Sequence, residues 1–167
     1  MEQITKKEYG FLEPEIVEEK EFQLGQLAPE VLQADGQWIN WLPVMEDQRL
    51  SNGADTYNCT AFGTLNVIEV RIRRTFNLTE NYSDRFLGIM AGTKPPGNDP
   101  HKVAEVLRKV GCLPEHLLFL NPGITTVEDY YQPNPPPQNF LNKAKEWLVS
   151  WAFGHEWVVS GRIATPE

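Results

Sequence analysis

Apolar side chains crowd one stretch of the chain. From Phe62 to Ile72 they recur at Phe62, Leu65, Val67, Ile68, Val70 and Ile72, on most sides of a helix. That pattern predicts a central, buried helix over about 58–74. Gly53 to Asn58 reads as the turn leading in, and Asp55, Thr56 and Asn58 can cap orphan backbone N–H groups. Two amphipathic helices follow. Ser83 caps one that turns Phe86, Leu87 and Met90 to a common face. Asp99 caps the other, with Pro100 in its first position, Val103, Ala104, Leu107 and Val110 inward, and Gly111 closing it. Asn134-Pro-Pro-Pro137 is a stiff, extended bridge. Beyond it, Phe140 to Phe153 predicts an amphipathic helix with Phe140, Ala144, Trp147, Leu148 and Trp151 on one side. Glu156 to Ile163 predicts a strand between Gly154 and Gly161. The expected organisation is an acidic N-terminal arm over 1–35, with Phe22 to Leu24 able to pair as an edge strand, and a helical lobe over 36–132. A Pro-rich linker over 133–139 and a helix plus strand over 140–167 then open a second lobe. The fold class is α+β.

Composition narrows the partners. The 167 residues are 41% hydrophobic and 11% aromatic, enough for one domain with a real core. A net charge of −8 argues against nucleic acid and against an anionic membrane as partners. No apolar run is long enough to span a bilayer, and the N-terminus lacks a basic-then-apolar leader. Two cysteines, Cys59 and Cys112, make no disulfide framework, which points to a reduced, cytoplasmic setting. Cys112 is expected in the core. The cysteines and three histidines do not fall at zinc spacings, and no glycine-rich phosphate loop occurs, so neither a metal nor a cofactor is expected.

The candidate chemistry is a thiol. Cys59 stands in the first turn of the predicted central helix, in the positive end of its dipole, where a thiolate is favoured. Cys59-Thr-Ala-Phe62, with Ile68-Glu69 nine and ten positions on, resembles the nucleophile helix of papain-like cysteine peptidases, of a type closer to divergent phage and bacterial members than to lysosomal ones. Thr60 stands where that family carries a tryptophan, and Asp55 to Asn58 replaces its Cys-Gly-Ser lead-in. Three further segments match in order: Trp38 to Gln48 as the entry segment, Asn81 to Met90 as the Leu-Ser helix, and Gly111 to Glu115 as the Gly-x-x-x-Glu turn. The resemblance covers about 38–119, the helical left lobe.

It implies peptide-bond hydrolysis, with Cys59 as nucleophile, Gln48 as an oxyanion donor beside the Cys59 backbone N–H, and peptide or protein as substrate. Gln48 lies eleven residues before Cys59, farther than in the family, so Arg49 to Ala54 must loop to bring it round; otherwise it is a solvated loop glutamine. Ala91 to Asp99 matches the family's substrate-binding loop, with Gly92 as a contact. Glu69 implies a buried ion pair with the second lobe, or else faces solvent. The family's histidine lies roughly 130 residues or more beyond the cysteine, and the chain ends before that point. His101 and His116 flank the third helix, and His155 stands where a helix gives way to a strand; each reads as an ordinary boundary residue, with His155 the one that could serve as a base. The last residues, with Thr165 as cap and Pro166 following, look like a helix just begun, which predicts a fragment. Two readings stand: a cysteine peptidase lobe awaiting its histidine, or a scaffold or binding module, such as a phage structural protein, that keeps the fold without the reaction. A half-domain would leave apolar surface uncovered and self-associate.

Overall fold

A computed structural model describes residues 10–11, 38–152 and 154. Most of the acidic arm, the Phe22 to Leu24 edge strand, His155, the strand over 156–163 and the Thr165-Pro166 cap lie outside the described residues.

The central helix, α1, runs from Cys59 to Phe76. Phe62, Leu65, Ile68, Glu69 and Ile72, spaced three and four apart, are buried. Asn77 ends the helix in the left-handed conformation, its N–H returning to the Arg73 carbonyl at 2.9 Å. Arg73 and Arg74 place positive charge at the negative end of the dipole. Arg73 donates to the Leu42 carbonyl at 2.7 Å, and Arg74 lies over the Trp41 ring, so the entry segment is strapped to the end of α1. The helix is less enclosed than its apolar run suggests. Val67 is 65% exposed, and Gly63 and Arg71, one turn to either side, are exposed with it. Among the described residues no element covers that stripe.

α2, Asp84–Met90, and α3, Pro100–Val110, pack on α1 and on each other. Both begin as their sequences dictate. Ser83 Oγ accepts the Phe86 N–H at 3.0 Å, and Asp99 Oδ1 accepts the His101 N–H at 2.8 Å. Gly111 closes α3 at φ +82°, and a side chain there would also run into the Ala144 carbonyl. A short parallel pair joins Gly10–Phe11 (β1) to Gly97–Asn98 (β2), laying part of the N-terminal arm beside α1. After the one-turn helix α4, Val127–Tyr130, the proline bridge leads into α5, Gln138–Ser150. This last helix is two residues earlier at its start and three shorter at its end than its periodicity predicts.

α5 packs on α3 and enters the core of the helices before it. Trp147 joins Leu65, Ile68, Leu87 and Leu107 in one cluster, together with the buried Cys112. Ala144 joins Phe86, Leu113 and Tyr130 in the other. Trp151 stacks at 6.5 Å from Trp147 and meets Phe76 edge-on at 4.9 Å, sealing the C-terminal end of α1.

The two faces of α1 should respond differently to truncation. Leu65→Ala, at a 1% exposed position, is expected to cost about 2–5 kcal/mol. Val67→Ala should change stability by about 0.5 kcal/mol or less. Urea unfolding of the two variants checks the difference.

Candidate active site

The chain enters α1 through a tight hairpin. An antiparallel bridge pairs Arg49 with Asp55, and two backbone bonds close the turn between them, Leu50 N–H to the Ala54 carbonyl and Gly53 N–H to the Leu50 carbonyl. The Thr56 hydroxyl then donates to the Gln48 carbonyl at 2.8 Å. The hairpin thus absorbs the extra residues between Gln48 and Cys59, and brings the Gln48 main chain beside Thr56. The Gln48 side chain is exposed.

The residues before Cys59 do not cap α1 as their side chains allow. Asn58 stands at the N-cap without a side-chain capping bond. Its amide is fully buried and donates elsewhere, to the Asp84 carbonyl at 2.8 Å and the Tyr130 hydroxyl at 3.0 Å. Thr56 is also fully buried, its carbonyl taking the Tyr131 hydroxyl at 2.7 Å, and Asp55 accepts the Tyr57 N–H at 2.6 Å. The tertiary bonds satisfy the Asn58 Nδ2 group, while its Oδ1, the atom a cap would use, is buried without a hydrogen-bond partner. Gly88 is part of the arrangement, for a methyl group there would overlap the Asn58 amide.

Cys59 is the first residue of α1 and is partly exposed. Burial raises its pKa above the ordinary value, the nearby Asp55 carboxylate raises it further, and the Thr60 and Cys59 N–H groups pull it only partly back. Gly92 lies in the turn after α2, exposed, at φ +65°, with its N–H on the Ile89 carbonyl. No hydrogen bond described joins it to Cys59 or Gln48. His101 sits in the first turn of α3, and His116 is exposed in the short helical turn Glu115–Leu117.

A cavity of about 350 Å³ opens beside α1, lined by Phe62, Glu46, Asp84, Arg85, Glu115 and Tyr130 among others. One carboxylate oxygen from each of Glu46, Asp84 and Glu115 lies within 4.8 Å of the others. Asn81 Nδ2 donates to Glu46 Oε1 at 2.9 Å. Burial pushes the Asp84 carboxyl well above its usual range, helped by the Glu46 carboxyl against it. Burial and the Glu46 charge raise Glu115 to about 8, against the Leu120 N–H and Ser83 hydroxyl that pull it down. Nearby Glu69 is buried on α1 and accepts the Tyr82 N–H at 2.9 Å; burial raises it to about 7. Arg85 donates no hydrogen bond to these acids, although the Glu115 charge acts on its guanidinium. Its guanidinium is spent on the backbone carbonyls of Phe119, Asp129, Tyr130 and Gln132. Sequence reasoning missed the trio because its members lie 38 and 31 residues apart, with no shared periodicity.

Neither a protein-family model nor a curated protein matches the sequence. Among solved structures, the chain is similar to xylellain, a cysteine protease from Xylella fastidiosa, with a TM-score of 0.53 and 18% sequence identity over 88% of this chain. The fold is papain-like, and the described helices form its helical lobe. The chain spans 58% of the length of xylellain. Among the described residues, no helix is long and apolar enough to cross a membrane.

Two pH responses follow from these environments. With its thiol pKa raised, Cys59 should alkylate slowly with iodoacetamide at pH 7, the rate still climbing through pH 9; peptide-resolved mass spectrometry across pH 5 to 10 reads this directly. Glu69 has a folded pKa near 7, above its unfolded value of 4.5, so the fold holds the neutral acid better. Its contribution is complete below pH 4.5 and is lost as pH rises through 7. Glu69→Gln should therefore flatten the fall in Tm between pH 5 and 8.

Proposed function

We propose that this chain is the helical lobe of a papain-like cysteine peptidase, with Cys59 as the nucleophile and a peptide or protein as substrate. The observation that carries the reading is the position of Cys59. A partly exposed thiol opens the central helix of a papain-like fold, on a backbone held by buried partners from α2 and the Tyr130-Tyr131 pair. The thiolate adds to the scissile carbonyl, and the negative charge that develops on its oxygen meets the Cys59 N–H and the Gln48 side-chain amide. The Gly92 turn offers backbone contacts to an extended substrate. The imidazole that takes the thiol proton and returns it to the leaving amine comes from residues outside those described, or from another chain. In this reading α5 belongs to the helical lobe, the strand expected over 156–163 opens the second lobe, and the setting is reducing and cytoplasmic. The exposed Val67 stripe is a surface for self-association.

A second reading is favoured by the raised thiol pKa, with Asp55 beside Cys59 and Thr60 in place of the family's tryptophan. In it, the fold serves as a scaffold or binding module without the reaction, as in a phage structural protein.

A p-nitrophenyl ester separates the two, since its leaving group departs without a proton and so needs no histidine. The peptidase reading predicts a burst of one p-nitrophenolate per chain, absent in Cys59→Ala, with an acylation rate about 10²–10³ lower in Gln48→Ala. Ester cleavage no faster than by a small free thiol of equal thiolate fraction, and indifferent to Gln48→Ala, would establish the scaffold instead.

A further inference from the structure

We infer that Thr56 is the positioning residue of this site: its buried hydroxyl holds the Gln48 segment in register with Cys59. The Tyr131 hydroxyl in turn holds the Thr56 carbonyl. The inference rests on the roles proposed for Gln48 and Cys59, and it names the group that sets one against the other.

Gln48 lies on the incoming arm of the hairpin before α1, and Thr56 lies on the outgoing arm, three residues before the thiol. The Thr56 hydroxyl crosses between the arms to the Gln48 carbonyl at 2.8 Å. That bond comes from a side chain, so it depends on which residue stands at 56. Gln48 and its neighbours Asp47 and Arg49 are exposed, and burial resumes only at Leu50. With so little packing around Gln48, a hydrogen bond from inside the protein sets where its main chain lies.

Thr56 serves as a fixed point because it is wholly enclosed, at 0% exposure, where an unbonded hydroxyl would be costly. Its carbonyl takes the Tyr131 hydroxyl at 2.7 Å. Two residues on, the Asn58 amide donates to the Tyr130 hydroxyl at 3.0 Å. Two adjacent tyrosines, packed edge-on at 4.9 Å, thus hold alternate residues of the lead-in to Cys59. The Tyr131 phenol stays a donor: burial raises its pKa, and the Asp55 and Cys59 charges raise it further. The relay from Tyr131 through Thr56 to Gln48 supplies by tertiary contact the register that eleven intervening positions of chain would leave loose. Register matters here because a misplacement of about 1 Å at a reacting centre can cost roughly 10²-fold in rate.

Acylation of the full chain by the p-nitrophenyl ester tests the relay. Thr56→Val, which removes the hydroxyl, should lower the acylation rate by about 10–10²-fold, and Thr56→Ser, which keeps it, should recover most of the rate. In a Gln48→Ala background Thr56→Val should cost less than about a further twofold, since a residue acting through Gln48 then has nothing left to place. Tyr131→Phe should slow acylation with the same dependence on Gln48. An undiminished Thr56→Val loss in the Gln48→Ala background, an unchanged rate in Thr56→Val, or no recovery in Thr56→Ser would overturn the inference. A second measurement needs no activity. A nitroxide on Gln48→Cys, in a Cys59→Ala chain, should be more mobile when Thr56→Val is added and ordered again with Thr56→Ser. Equal mobility in all three chains would refute the positioning role. A parent without a Cys59-dependent burst would sink the peptidase reading alone, and the nitroxide would still decide whether Thr56 places Gln48.

Discussion

The Asn58 side chain lies wholly inside the protein, its amide donating to the Asp84 carbonyl and to the Tyr130 hydroxyl. Those two bonds tie the residue before Cys59 to the start of α2 and to the end of α4, segments 26 and 72 positions away in sequence. Gly88 leaves the space that the amide occupies, and Tyr131 holds the Thr56 carbonyl from the same side. Where α1 begins, and hence where its first side chain emerges, is decided by this junction. The helix's own capping preference yields to it. The two bonds satisfy the buried Nδ2 group, and the Oδ1 that could have capped the helix is held away from it without a partner.

Desolvation governs the charges around the junction. The thiol at the head of α1 and the carboxyls of Glu69, Asp84 and Glu115 are all displaced towards their neutral forms, and burial is the largest cause for each. A helix N-terminus favours a thiolate only while the surroundings can support charge. At the head of α1, burial and the Asp55 charge act against the two backbone N–H groups that favour the thiolate. Three of the lobe's arginines place their hydrogen bonds or ring contacts elsewhere: Arg73 on Leu42, Arg74 over Trp41, and Arg85 on four carbonyls, with the Glu115 charge also acting on Arg85.

The likeness to xylellain and the bare stripe on α1 bear on the same point. The chain, which spans 58% of xylellain's length, packs one side of its central helix with α2 and α3, and α5 completes that core through Ala144 and Trp147. The opposite side carries Gly63, Val67 and Arg71 at the surface. Apolar area left this way is a modest free-energy deficit, about 25 cal/mol per Å², and the helix is stable without it because its other face is fully engaged.

Much of the lobe was legible in the chain itself. The caps at Ser83 and Asp99, the stop at Gly111, the central helix with Cys59 at its head and the core position of Cys112 all follow from short-range patterns, because helix ends and amphipathic spacing are settled within a few residues. Four matching segments in order were enough to suggest the papain-like fold. What only the tertiary structure decided is everything that depends on partners distant in sequence. Asn58 turns inward because Asp84 and Tyr130 arrive beside it. Val67 is left at the surface because no described element packs there. Glu46, Asp84 and Glu115 meet around one cavity although nothing in their spacing connects them. Burial and charge at a site are sums over neighbours in space, and a one-dimensional pattern records neighbours only along the chain.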